Sequence, residues 1–435
     1  MNTPDTVAGP PLEHLAHDCE ETTEPPARPL ATGRVPAGRF VGVDVARGVA
    51  LVGMIAVHTM SAATDDGDVT LAWQLFSGKS AALFALLGGV GIAFMTGRTR
   101  PPRGGAWARA AVTPLVRGLL IAAIGLTLGY AVSDDAAYVI LPYLGGMFLA
   151  ATVLLPLRPK MLIGLGLGWA VVAPVLSHLL RLSRPAADLS NLTFTTLLGE
   201  PGRFAWTVLV AGTFPVLTWL AYIAVGLGVG RTALGSRRVV ARLVLGGSAL
   251  TAAVVAVTRL LVSSGVRERV AEDVSGHTDF ETFTERLLWG GDGVLPADSP
   301  WWLAINAPHS GTPLDLLYTI GIALLTLGLC LALAVAVGPL LRVLAAPGSM
   351  TLTLYSAHVL LIEPLDGLPD GLAFLTHVVV LFTFALVWSS FFAKGPLEWV
   401  VARITHVIAP APRGSVPARA ARGSGATALS ASEQP

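Results

Sequence analysis

Ten apolar runs, each of roughly the length that crosses a bilayer, dictate what this chain can fold into. They occupy about 41–61, 79–97, 112–132, 136–156, 161–180, 206–229, 239–262, 314–338, 351–365 and 371–393. A lipid core offers no partner to a bare backbone N–H or C=O, so runs of this length cross it as α-helices whose bonds close internally. The expected fold class is all-α: a polytopic membrane helix bundle of about ten transmembrane helices. The composition agrees, since only 13% of residues are charged, against about 25% in soluble domains. The ninth run is the shortest and the first is the most polar.

Loop charges orient the bundle. Arg98, Arg100, Arg103 and Arg109 follow the second run, and Arg158 and Lys160 follow the fourth. Arg231, Arg237, Arg238 and Arg242 surround the gap after the sixth, Arg342 follows the eighth, and Lys394 and Arg403 follow the tenth. The alternate loops carry Asp65, Asp66 and Asp68, then Asp134 and Asp135, then Glu363, Asp366 and Asp370. Basic loops stay cytoplasmic, so both termini are expected inside a multi-pass protein of the cell (plasma) membrane. The loop at 181–205, with Arg181, Arg184 and Arg203, fits this rule poorly.

The expected domains follow. Residues 1–38 are Pro-rich without an apolar core, which reads as a disordered cytoplasmic tail rather than a signal peptide. Residues 39–405 form the transmembrane domain, and 406–435 form a second disordered tail. Within the domain, 263–313 is a long extracytoplasmic loop with Glu268, Glu272, Asp273, Asp279, Glu281, Glu285, Asp292, Asp298 and the pair Trp301-Trp302. It reads as a lid, an interfacial helix or an exposed loop. Two cysteines, Cys19 and Cys330, cannot make a disulfide framework. A net charge of +1 argues against a nucleic-acid partner. No His-x-x-x-His or Cys-x-x-Cys pair occurs, so no metal is expected.

The first run carries Asp44, Arg47 and His58. Charges inside a membrane are costly and mark function. At ~100° per residue, Arg47 and His58 differ by only ~20° around the helix, and Asp44 lies about 40° from His58. The three share one stripe over ~21 Å of rise. Asp44 and Arg47, three apart, can pair. That pairing serves insertion, or else Arg47 supplies a forked donor for phosphate or carboxylate. His58 at the outer end suits a general base or a transient acyl carrier; the bland alternative is an interfacial residue satisfying a backbone group.

Other candidates are Lys79, Tyr355, His358 and Glu363 as substrate-binding residues. Tyr355 and His358 are one helical turn apart, and Glu363 is a candidate acid partner for His58. His377 is a weaker relative of His358. The glycines at 88, 89 and 91 read as helix packing. His178, His277, His309 and His406 read as surface.

The stretch Arg39…Gly42-Val-Asp44-Val-Ala-Arg47-Gly48…Gly53-Met54…His58 resembles the opening motif of YeiB-like bacterial membrane proteins. These are related to heparan-alpha-glucosaminide N-acetyltransferase within the transmembrane acyltransferase superfamily. Further matches are Phe76-Ser-Gly-Lys-Ser-Ala-Ala-Leu-Phe84, Gly212-Thr-Phe-Pro215 with Trp219 and Tyr222, Pro347-Gly-Ser-Met-Thr-Leu-Thr-Leu-Tyr355-Ser-Ala-His358, and Gly395-Pro-Leu-Glu398-Trp399. The resemblance implies transfer of an acyl group, acetyl above all, from cytoplasmic acyl-CoA (acetyl-CoA) to an extracytoplasmic glycan or small-molecule acceptor. It implies that His58 is the acyl acceptor or base and that Asp44 and Arg47 serve the donor end. The implied partners are the lipid bilayer, acyl-CoA and the acceptor, with room for a homo-oligomer. The competing readings are a small-molecule transporter or exporter, since intramembrane charges also mark transport pathways, and a structural or sensory protein.

Overall fold

The computed structural model describes residues 40–183, 189–274, 295–338 and 340–409. The two expected tails, apart from residues 406–409, lie outside the described residues, as do Cys19, Arg39, Arg184, His277, Asp279, Glu281, Glu285 and Asp292. Among the described residues the fold is helical, with a single isolated bridge between Ala63 and Val69.

In chain order the helices are α1 (Val41–Thr59), α2 (Leu71–Phe76), α3 (Lys79–Met95), α4 (Gly105–Leu128), α5 (Leu141–Ala150), α6 (Pro159–Arg181), α7 (Phe194–Gly199) and α8 (Pro201–Trp206). They continue as α9 (Val216–Gly230), α10 (Arg237–Ser263), α11 (Val266–Val274), α12 (Pro313–Val337), α13 (Arg342–Gly348), α14 (Thr351–Leu361), α15 (Asp370–Phe391) and α16 (Pro396–Ile408). Among the described residues seven candidate spans are long and apolar enough to cross a membrane: α1, α2–α3 together, α4, α6, α10, α12 and α15. The segment Pro201–Ala211 and α9 make an eighth if they count as one span bent by 52°. Pro215, at the break before α9, has no N–H to continue the ladder.

Two of the ten runs make shorter helices, for identifiable reasons. Residues 136–140 of the fourth run are held out of helix by Asn191. Its Nδ2 donates to the Ala137 carbonyl (2.9 Å) and its Oδ1 accepts from Val139 N–H (2.8 Å). Helix then begins at Leu141-Pro142 and reaches Leu154 through a 3₁₀ turn. The ninth run begins just after the helix that ends at Pro347-Gly348 and is cut at its other end by Glu363-Pro364, leaving the 11 residues of α14. At 1.5 Å per residue α14 covers ~16 Å, about half a hydrocarbon core.

Small residues let the central helices touch. A Cβ at Gly89 of α3 would fall onto the Ile223 carbonyl of α9, and one at Gly226 would fall onto the Leu86 carbonyl. Likewise Gly48 of α1 faces the Leu344 carbonyl and Gly348 faces the Asp44 carbonyl, which seats α13 on α1. The expected packing role of the α3 glycines thus holds at Gly89. Leu51, Ile55, Leu86, Leu87, Tyr222 and Leu354 fill the centre. At the periphery, only 17% of the most apolar stretch of α10 is buried, so that helix faces its surroundings.

The described part of the long loop is packed. Val266 and Val270 of α11 join Leu295, Trp302, Ile305 and Ala307 in a second, smaller core. Trp302 Nε1 donates to Asp298 (2.8 Å), and the Arg269 guanidinium lies 4.7 Å from the Trp301 ring centre. This cap leads into Pro308-His309 and then α12.

Candidate functional site

Where α1 ends, the chain leaves a cavity of about 230 Å³ lined by His58, Met54, Trp73, Tyr138, Phe214, His309 and Tyr355, among others. His58 reaches it from the last turn of α1. Its Nδ1 lies 3.0 Å from Nε2 of His358, and the two rings stack with planes 8° apart. One proton can sit on either side of this contact. When it sits on His58 Nδ1, the other nitrogen, Nε2, is left with a free lone pair beside the cavity. His358 is fully buried on α14 and packs edge-on against His377 of α15, ring centres 5.0 Å apart. His377 Nδ1 donates to the Ala373 carbonyl at 2.8 Å. Among the described residues, His358 Nδ1 and His377 Nε2 are buried without a hydrogen-bond partner.

Tyr355 stands one turn before His358. Its hydroxyl accepts from Ile140 N–H (3.2 Å), tying α14 to the segment that Asn191 holds extended. His309 forms part of the opposite wall. Its φ of 56° lies in the left-handed region, and its Nε2 accepts from Gly78 N–H (3.2 Å). Burial, followed by the nearby Lys79 ammonium, pushes His309 down to about 4. It is therefore a neutral imidazole whose proton sits on Nδ1. Gly78 itself has φ 70°, which turns the chain from α2 into α3 and aims its N–H at His309.

A second cavity, of about 330 Å³, lies beyond the Pro308-His309 strip. Lys79, Asp315, Asn306, Arg259 and Tyr318 line it. Lys79 Nζ donates to the Ser77 carbonyl (3.3 Å) and sits 5.7 Å from the Tyr318 ring centre. Asp315 is buried, and its Oδ2 accepts from Gly311 N–H at 3.0 Å. Thr319 donates back to the Asp315 carbonyl (2.6 Å) and contacts the Tyr222 hydroxyl (2.7 Å).

Asp44 and Arg47 occupy the other end of α1, as an ion pair at 3.5 Å with Asp44 buried. Gly91 leaves room for the Arg47 guanidinium, and Arg117 on α4 lies within electrostatic reach of both Arg47 and Glu398. Between the two ends the same face of α1 carries Leu51 and Ile55, both fully buried. The stripe is two polar ends separated by packed apolar side chains.

The structure therefore gathers His58, His358 and Tyr355 at one site, with Lys79 in the adjoining cavity. It does not bring Glu363 there. Glu363 is exposed and accepts from Ser133 N–H (2.8 Å), closing a loop outside both cavities. Two histidines expected on the surface are elsewhere: His178 is buried on α6, and His309 lines the cavity. Asp315 carries no local signal in the sequence, since Thr312-Pro-Leu-Asp315 looks like an ordinary helix start, and Thr312 does cap it. Among the described residues no group of His, Cys, Asp and Glu is arranged to hold a metal.

The described residues form a helical bundle of multi-pass membrane type, with a paired histidine in a cavity at one end of α1 and an ion pair with a buried carboxylate at the other. More particularly, the chain belongs to the heparan-alpha-glucosaminide N-acetyltransferase catalytic family, whose model matches residues 39–260, just over half of the 435. No curated protein matches the chain. The matched segment contains Asp44, Arg47, His58 and Lys79, while His309, Tyr355, His358 and His377 lie beyond it. Membership points to a membrane acetyltransferase type of function.

Proposed function

We propose that the protein moves an acyl group, acetyl in the first instance, from acyl-CoA on the Asp44 side of the membrane to a glycan or small-molecule acceptor on the His58 side. The observation that carries this reading is the His58–His358 pair at the edge of a cavity, inside a fold of the acetyltransferase family. The cavity, at about 230 Å³, is below the usual ~300–1,000 Å³ of ligand pockets, so it admits the reacting ends of donor and acceptor but not a nucleotide.

In the covalent route, His58 Nε2 attacks the thioester carbonyl carbon, the C–S bond breaks and CoA leaves as thiolate. The His58 Nδ1 proton passes to His358 Nε2 across the 3.0 Å contact. The acceptor's hydroxyl or amine then attacks the acyl-imidazole, His358 returns the proton to Nδ1, the acceptor's proton is released on the His58 side, and the thiolate takes up a proton on the Asp44 side. In the direct route, His58 Nε2 takes the acceptor's proton while the acceptor attacks the thioester carbonyl carbon; the C–S bond breaks, the CoA thiolate leaves and takes that proton from Nε2, and the Nδ1 proton is shared with His358 Nε2 in the interval. A lone pair on a positioned imidazole serves both.

Sidedness follows from the loop charges. The basic loops cluster at the Asp44 end, which supports cytoplasmic termini in the plasma membrane, with all ten apolar runs within the bilayer and α5 and α14 as half-length helices. Asp44 and Arg47 then face the donor side, and Lys79 with Asp315 flanks the acceptor's route.

The test uses purified protein in lipid nanodiscs with radiolabelled acetyl-CoA and an amine or sugar acceptor. His58→Ala should abolish transfer, and His358→Ala should lower it by ~10²-fold or more, the usual size of a lost acid–base contribution. A labelled, hydroxylamine-sensitive peptide containing His58 marks the covalent route. Full transfer by His58→Ala sinks the assignment. Proton-coupled solute uptake, with no binding of any acyl-CoA, replaces it with transport.

A further inference from the structure

A cleft of about 1,220 Å³ opens on the periphery of the bundle, away from the α1 site. Its rim carries Arg100, Arg103, Arg158, Lys160 and Arg242, and no carboxylate is among the residues that line it. These cations come from three separate segments: the α3–α4 loop, the start of α6 and the first turns of α10. The tendency of basic residues to stay on one side of a membrane explains their presence in loops. It does not explain their convergence on one rim.

Below the rim the walls are apolar. Ile163 and Leu167 of α6 face Leu243 and Leu250 of α10, with Val225 and Val229 of α9 behind. From Lys160 to Leu167 α6 rises ~10 Å, and from Arg242 to Leu250 α10 rises ~12 Å. One leaflet of hydrocarbon is ~15 Å deep. The cleft thus runs from the headgroup level towards the bilayer middle, beside a helix that is largely unburied.

We propose that this cleft binds an anionic phospholipid, with its phosphate on the basic rim and its acyl chains against the α6, α9 and α10 walls. Convergent cations between helices at a membrane surface suit such headgroups. The walls also discriminate. A pantetheine arm would bring amides into a region whose deep lining has no polar side chain to meet them, and unpaired amides are costly there. Acyl chains incur no such cost. Gly246 on α10 lines the cleft, and a Cβ there meets nothing within 4 Å. The Cβ of a larger side chain at that position therefore has open space on the cleft side.

The full chain is delipidated in mild detergent and titrated with dioleoyl-phosphatidylglycerol or dioleoyl-phosphatidylcholine, with native mass spectrometry and thermal melting as readouts. The expected result is saturable retention of phosphatidylglycerol at least ~10-fold tighter than phosphatidylcholine. Gly246→Phe should remove that retention, and the Arg158→Gln/Lys160→Gln/Arg242→Gln variant should reduce it ~10-fold or more. Both variants should melt like the parent in phosphatidylcholine. Equal retention of the two lipids overturns the proposal, as does an unchanged preference in both variants. Stabilisation by glycerol phosphate as strong as by the lipid would reveal a phosphate site without chains and also overturn it. Competitive displacement of the lipid by acetyl-CoA, lost in the same variants, would reassign the cleft to the donor.

Discussion

Glu398 makes a prediction that joins stability to the site. Its carboxylate sits at the N-terminus of α14 and accepts three hydrogen bonds: from Leu352 N–H (2.7 Å), Thr353 N–H (3.2 Å) and the Thr353 hydroxyl (2.6 Å). The first turn of a helix has no internal partners for its N–H groups, and a negative charge there also meets the helix dipole. α14 is short, so its own hydrogen bonds hold it weakly, yet it carries Tyr355 and His358. Bonds to a charged acceptor contribute ~1.5–3 kcal/mol each. The three share one group and are partly open to water, so Glu398→Ala should cost roughly 2–4 kcal/mol rather than their sum. Glu398→Gln keeps an acceptor oxygen and loses the charge, at about 1 kcal/mol. Reversible unfolding in mixed micelles, followed by tryptophan fluorescence, measures both. In the proposed reaction the Ala variant should also lose more transfer rate than the Gln variant, because a loosened α14 no longer holds His358 against His58. Losses under ~0.5 kcal/mol for both variants would refute the capping argument.

Three further outcomes are expected. Gly226→Ala should cost ~1–3 kcal/mol or more, because its Cβ meets the Leu86 backbone, which cannot move like a side chain; thermal melting against Gly164→Ala, where a Cβ meets nothing, provides the control. Asn191→Ala should cost about 3 kcal/mol, since it strands the Val132 and Ala137 carbonyls and Val139 N–H, and slower transfer should accompany the lower melting point. His309, held at about 4 in the fold, binds no proton where the unfolded chain, with histidine near ~6.5, does. Its contribution is complete above pH ~6.5 and is lost as pH falls towards 4. His309→Asn, which tolerates the left-handed backbone, should flatten that acid-side slope in pH-dependent melting, and an identical slope would refute the neutral-imidazole reading.

Much of the architecture was legible because hydrophobic length is a local property. The helices sit where the apolar runs sit. What the runs could not reveal was how many cross: Asn191 and Pro142 shorten the fourth, and Pro347 and Pro364 bracket the ninth, through contacts with distant segments or through helix breaks. At the site, His58 was legible as an ionisable group in an apolar run. Its partner His358 is legible only as a substrate-binding candidate one turn from Tyr355, because the 3.0 Å contact joins residues 300 positions apart, and no local pattern encodes that. Glu363 was drawn to His58 by being an acid at the right end of a helix, whereas the Ser133 N–H claims it. His309 was passed over for the converse reason. It lies in a loop, and only the small Val266–Trp302 core, which the sequence did not announce, folds that loop inward.

The two polar ends of α1 are linked by more than α1. α14 begins at the Glu398 cap, near Arg117 and Arg47, and delivers Tyr355 and His358 to the cavity at the other end. Leu51 and Ile55 on α1 and Leu354 on α14 are fully buried between these ends. A continuous file of water along the Asp44–His58 stripe would conduct protons, and a membrane that stores a proton gradient cannot tolerate it. Close-packed apolar side chains exclude such a file, because water needs polar partners to occupy a cavity. In the proposed reaction these residues let the donor's thioester arm reach His58 only as their side chains move aside, which makes the apolar middle of α1 a seal and the two polar ends its loading and unloading points. The small residues Gly48 and Gly348 bring α13 against α1 at the Asp44 end, and the 3.0 Å histidine pair joins α1 to α14 at the other.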